Sequence, residues 1–339
     1  MKAFVYFLFI LFLFQAFDIT ESQPNYRRST CNVLNNRPIV GVLTQEVTGK
    51  LVEYYGNHYA YIASSYVKYL ESAGSRVIPI WIGQRKEYYR SILSFVNGVL
   101  FPGGATFFNV TGGYAEAGKF IMEVANEFNN QGDYFPIWGT CLGFELMGYI
   151  ENNMEEIRVD CQSNNQALPL KFKPDFLNSK LFGEAPCDVI LTLKSLNATI
   201  NFHQYCLTEK GMKDAGLLET WKILSINTDE NGLEFISTME HITKPYYAVQ
   251  FHPEKPAFEW KATHVTPHDA PSIRANQYFA DFFVQQARLN CHKFPSETEE
   301  RKYLIYNFKT TYGIPQSSFT QLYFFDYGPR KTRRIKVDV

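Results

Sequence analysis

The sequence predicts an α/β fold: a mostly parallel central sheet flanked by helices, with an antiparallel extension in the C-terminal half. Three observations carry that expectation. From about Arg37, short apolar runs alternate with longer segments whose apolar residues recur at helical spacing. The short runs lack the polar alternation of a half-exposed sheet, as strands covered on both faces do. After about Asn152 the runs become short and closely spaced, the texture of antiparallel strands.

Taken in order, residues 38–43 (PIVGVL) read as a first buried strand. Residues 59–73 read as a helix stopped by Gly74, 77–82 as a second strand and 87–95 as a helix. A third strand, 98–101, runs into Pro102-Gly103-Gly104, and 115–128 reads as a further helix. The stretch 134–145 (YFPIWGTCLGFE) then organises the chain. An apolar strand meets Gly139-Thr140-Cys141-Leu142-Gly143, and residues 142–150 have the spacing of a helix. A strand that turns sharply into a helix lifts the corner side chain out of the sheet and aims the free N–H groups of the helix beside it. Glycines two before and two after the corner let strand and helix crowd the bend. This is the geometry of a nucleophile elbow with a cysteine at its corner.

Beyond Asn152, residues 189–193, 222–227, 233–239 and 246–251 read as short strands, with Asp229-Glu230-Asn231-Gly232 as a hairpin turn. Residues 277–289 and 297–306 read as helices, followed by an aromatic-rich end. With no internal repeat, low-complexity segment or linker in view, residues 23–328 are taken as one continuous domain.

The 339 residues, 45% apolar, supply a large core, and 33 basic against 34 acidic residues give no bulk attraction to nucleic acid or an anionic membrane. Residues 1–22, a lysine followed by about fifteen apolar residues and then polar and small ones, read as a secretory signal cleaved after Ser22. That run is short for a membrane anchor, and no later stretch spans a membrane. The sequons at Asn109 and Asn197 fit a secreted or lysosomal glycoprotein. The basic tail, residues 329–339, reads as a loosely packed end. Besides Cys141 the chain has Cys31, Cys161, Cys187, Cys206 and Cys291; five is odd, so at least one stays free or pairs between chains.

A thiol needs a base, because at its ordinary pKa it is only a few per cent thiolate near neutrality. Of seven histidines, His252 stands out, since Phe251-His252-Pro253-Glu254 directly follows an apolar strand. Glu254 is near enough in the chain to orient the imidazole, giving a nucleophile, base and orienter in that order. The backbone N–H groups of Leu142 and of the Gly103-Gly104 turn, with Gly104 as donor, are the expected oxyanion hole. His58, His241, His264, His268 and His292 show no ligand spacing and read as surface or loop positions.

These motifs carry a resemblance. GTCLGFE and FHPE resemble the nucleophile and histidine–glutamate motifs of class I glutamine amidotransferases. PIVGVLTQ, SSYVKYLESAG, GVLFPGG, NFHQYCLT, EFISTME and VQFHPEKPAFEW together resemble the γ-glutamyl hydrolase family, over residues 38 to about 306. The resemblance implies a class I glutamine amidotransferase-like fold and a secreted or lysosomal, homodimeric cysteine hydrolase, needing no metal or other cofactor. Its substrate would be a folylpoly-γ-glutamate, cut at a γ-glutamyl amide. It assigns Cys141 as nucleophile, His252 as base and acid, Glu254 as its partner, and His203, Tyr66, Gly103 and Glu145 to the substrate region. The amidotransferase pattern has glutamine where Glu145 stands, which favours the hydrolase branch. Lys68 and Lys255 are candidates for reading the α-carboxylate beside each γ-link. Rival readings are a glutaminase subunit, a lysosomal cysteine endopeptidase and an inactive binding protein.

Overall fold

Apolar runs without polar alternation become the buried centre of a sheet, because helices can then cover both faces. The computed structural model describes residues 33–326; the expected signal segment, Cys31 and the basic tail lie outside them. In chain order the strands are β1 (Ile39–Leu43), β2 (Ala60–Ala63), β3 (Arg76–Ile80), β4 (Val99–Phe101), β5 (Ile137–Thr140), β6 (Val159–Leu168), β7 (Lys171–Phe172), β8 (Thr199–Cys206), β9 (Trp221–Thr228), β10 (Glu234–His241), β11 (Tyr246–Val249), β12 (Thr310–Tyr312) and β13 (Gln321–Phe325). Eight of them form the main sheet in the order β3-β1-β4-β5-β11-β10-β9-β7. Pairing from β3 through β11 is parallel, and β11–β10, β10–β9 and β9–β7 are antiparallel, so the expected fold class holds.

β1, β4, β5 and β11 are buried at every position. Trp138 on β5 packs against Phe279 and Phe283 of the helix Ala270–Ala287, ring centroids 6.1 and 5.8 Å apart. That helix contacts the helices Ser64–Ser72 and Cys187–Ser195. A separate group, Lys86–Leu93, Tyr114–Asn130 and Leu142–Glu151, packs together elsewhere on the sheet.

The central position of β5 decides where the chemistry falls. Its end carries Cys141, the end of β4 on one side carries Gly103, and the end of β11 on the other leads into His252. The register Thr140↔Val249 and Phe101↔Gly139 brings all three to one edge, where sites in open parallel sheets form.

Three expectations are corrected. Residues 189–193 lie inside the helix Cys187–Ser195, because Val189 and Leu193, four apart, are the residues buried while Leu191 is exposed. The expected helix 59–73 is divided: Ala60–Ala63 pairs antiparallel with β13 and only Ser64–Ser72 is helical. That small sheet, β12-β13-β2, absorbs the aromatic-rich end. The polar β6 pairs with β8, outside the main sheet, with two register shifts, and its composition carries no strand alternation. His241, read as a surface or loop position, lies on β10 and is buried with its ring 5.2 Å from that of Trp221.

The elbow glycines are held by space. A Cβ on Gly143 would lie 2.0 Å from the Phe101 carbonyl oxygen, and one on Gly139 2.7 Å from that of Gly143. Gly143→Ala should therefore lower stability by about 3 kcal/mol, read as a lower urea midpoint at unchanged m-value. An unmoved midpoint would contradict this close approach.

Candidate active site

The corner residue is held in an unusual backbone conformation. Cys141 has φ 51° and ψ −108°, a region costing a side-chain-bearing residue about 1–3 kcal/mol. The surroundings fix it: its N–H donates to the Val249 carbonyl at 2.8 Å, and its own carbonyl accepts from Glu145 N–H at 3.0 Å. The side chain is buried, with its sulfur 4.0 Å from the Phe202 carbonyl oxygen and within reach of the Leu142 N–H. Burial pushes the thiol well above its ordinary pKa, and the carboxylates Glu145 and Glu254 push it further. The resting cysteine is a thiol.

β11 delivers the base. His252 N–H donates to the Ile200 carbonyl at 2.9 Å, which ties the segment after β11 to β8. Its Nδ1 lies 2.8 Å from Glu254 Oε1, both side chains being almost wholly buried. Burial lowers the pKa of His252, opposed by Glu254; burial would raise that of Glu254, but the imidazole beside it holds it below the usual carboxylate range. A neutral imidazole facing an ionised carboxylate must place its proton on Nδ1, because the carboxylate can only accept. Nε2 is then the basic atom. It is buried and has no hydrogen-bond partner among the described residues.

Cys141 and His252 converge at Gly103. A Cβ there would lie 2.8 Å from His252 Cε1, 3.0 Å from Cys141 Cβ and 2.7 Å from the Tyr66 hydroxyl, so only glycine fits. The Gly103 N–H is already used, donating to the Tyr66 hydroxyl at 2.8 Å. Tyr66, expected against substrate, instead stands behind the imidazole: it is 1% exposed, and its hydroxyl is 3.3 Å from His252 Nδ1. Gly104 lies beside Gln45, whose side-chain oxygen would be 1.8 Å from an added Cβ.

A cavity of about 720 Å³ opens over this edge, lined by Cys141, His252, Gly103, Gly104, Leu142, Glu145 and His203 among others. Glu145 reaches it with both oxygens occupied, Oε1 accepting from Gln250 Nε2 and Oε2 from Arg158 Nη1, each at 3.0 Å. Burial raises its pKa to about 7, against the pull of Arg158. His203 is held by its own surroundings: Nδ1 lies 3.4 Å from each sulfur of the Cys161–Cys206 disulfide and Nε2 3.1 Å from Asn201 Oδ1, and burial lowers its pKa to about 3. These three residues are the His/Cys group at metal-ligand spacing among the described residues, and its two sulfurs are bonded to each other. Cys187 is free, as the odd count required.

Sequence reasoning missed part of the wall. His264, read as a loop residue, lines the cavity with its ring 4.6 Å from that of Phe202. Arg158 lines it too, its guanidinium 4.1 Å from the Phe108 ring centroid. No local pattern marks Arg158, which follows Glu145 by thirteen residues and meets it only through the turn after the elbow helix. Of the two lysines considered, Lys255 lines the cavity, whereas Lys68 donates to Gln321 Oε1 at 2.5 Å outside it.

Residues 38–254 match the family model described as Peptidase C26. The chain is 40% identical over 291 residues to a gamma-glutamyl hydrolase of Homo sapiens, covering 86% of this chain and 90% of that protein. It is 35% identical to gamma-glutamyl hydrolase B of Dictyostelium discoideum, covering 89% and 87%, and 33% identical to gamma-glutamyl hydrolase 1 of Arabidopsis thaliana, covering 86% and 84%.

Proposed function

The chain belongs to the peptidase C26 family, and from that premise we propose that it is a cysteine hydrolase cleaving γ-glutamyl amide bonds of folylpoly-γ-glutamates. The observation that carries the proposal is the convergence of Cys141 and a neutral, Nδ1-protonated His252 at Gly103, in the cavity wall, with Nε2 unpartnered among the described residues.

The mechanism follows from the proton positions. Cys141 Sγ attacks the γ-carbonyl carbon as its proton passes to His252 Nε2, and Glu254 stabilises the imidazolium that forms. The N–H groups of Leu142 and Gly104 take the developing oxyanion, since that of Gly103 is engaged by Tyr66. Nε2 then gives its proton to the departing amine, so that the C–N bond breaks and a thioester remains. Water, deprotonated by the same atom, cleaves the thioester and returns the thiol. Tyr66, behind the imidazole, positions the base.

The test is product analysis with pteroyl-penta-γ-glutamate and its α-linked isomer. Release of glutamate or γ-glutamyl peptides from the γ-linked compound alone is expected; equal cleavage of both would indicate a general endopeptidase. The pH profile gives a second check. Burial holds His252 below the ordinary histidine value of about 6.5. Protonation removes the base, so kcat/KM should be full above that value and fall only below it. An acid limb centred above about 6.5 would contradict this.

The same reading places the protein on the secretory route, secreted or lysosomal, as a glycosylated homodimer. It is supported by the signal-like residues 1–22, the exposed Asn109 and Asn197, and the Cys161–Cys206 disulfide, a bond that persists in oxidising compartments. The dimer rests on the family resemblance, and sedimentation of the secreted protein tests it.

A further inference from the structure

We propose that Lys255 reads the free α-carboxylate on the acyl side of the scissile bond; this rests on the γ-glutamyl hydrolase reading above. In a γ-linked chain the acyl residue carries its carboxylate three carbons from the reacting carbonyl carbon. In an α-linked chain the side-chain carboxylate stands equally far from the carbonyl, and what differs is the carbon that bears the nitrogen. A fixed cation beside the catalytic histidine can hold that carboxylate and so set the reacting carbonyl against Cys141.

Lys255 is such a cation. It opens the short helix Lys255–Phe258 directly after Glu254, and its N–H donates to the His252 carbonyl at 3.3 Å, so its backbone is tied to the base. Its side chain is 3% exposed yet lines the cavity. The ammonium lies 5.0 Å from the Phe202 ring centroid and 5.2 Å from that of Phe319. Aromatic faces attract a cation but do not satisfy three N–H donors. Among the described residues it forms no ion pair and no side-chain hydrogen bond. The Glu254 carboxylate acts on this charge only at a distance; a buried charge without a direct partner is costly, and an anion entering the cavity would supply one.

The other charges on the wall leave this role to Lys255. Among the described residues Glu145 is the one carboxylate lining the cavity, and Arg158 is bound to it and to Glu156. Lys50 is exposed at the margin, where it could meet carboxylates further along the tail.

The experiment measures kcat/KM for benzoyl-γ-glutamyl-glutamate and for its analogue with the acyl-side α-carboxylate replaced by carboxamide. Wild-type protein should prefer the carboxylate by on the order of 10²-fold, and in Lys255→Gln and Lys255→Met the preference should fall to within a few-fold of unity. Retention of the wild-type ratio in either folded variant overturns the proposal, as does a uniform loss on both substrates with the ratio intact. Wild-type protein alone, compared on the two substrates, decides the matter if neither variant folds: absence of a preference refutes it. Failure of wild-type protein to cleave either compound would instead refute the underlying hydrolase reading, and this assignment with it.

Discussion

Cys141→Ala should lower kcat/KM by about 10⁴-fold or more while leaving the fold intact. Once the nucleophile is gone, the acyl transfer must run by direct water attack, with only positioning and oxyanion N–H groups left to assist. The elbow itself does not depend on the sulfur. Its shape comes from the Cys141 N–H bond to Val249 and from the close approaches of Gly139 and Gly143. Binding of intact substrate should therefore survive, and calorimetric titration of the inactive variant checks it. Turnover by Cys141→Ala at a rate near wild type would exclude a cysteine mechanism.

The second large effect is expected at His252. Without an activating base, a thiol raised well above its ordinary pKa by burial and two carboxylates is almost entirely protonated. His252→Gln should cost about 10³-fold in kcat/KM. The two losses should not add: the double variant with Cys141→Ala should be no slower than Cys141→Ala alone, because the residues act as one unit. The acid limb of the pH profile should also vanish in His252→Gln. An additive double variant would mean that His252 serves something other than Cys141.

Much of the parallel half of the sheet and the elbow was legible because both are local in the sequence. Apolar runs and helical spacing mark the strands and helices around β5, and two glycines at fixed distance from Cys141 mark the bend. The histidine was legible by position, since a polar residue following a buried strand such as β11 falls at the edge where β5 ends. What was not legible depends on contacts far apart in the chain. The strand Ala60–Ala63 forms because β13, about 260 residues later, pairs with it. The β6–β8 pair has a polar sequence whose strand character comes from its partner and the disulfide. Tyr66 carried a family signal, yet its place behind His252 follows from how the helix Ser64–Ser72 packs under the Gly103 turn. Arg158 was invisible because its partner Glu145 is met through space.

A cysteine mechanism requires that Cys141 become acylated during γ-glutamyl cleavage. Rapid acid quench of the enzyme during turnover of pteroyl-γ-glutamyl-glutamate, followed by peptide mass analysis, tests it most directly. The peptide carrying Cys141 should gain the mass of the acyl fragment, and the adduct should be absent from Cys141→Ala. Full turnover with no adduct on that peptide under any quench time, or an adduct on another residue, would contradict the account.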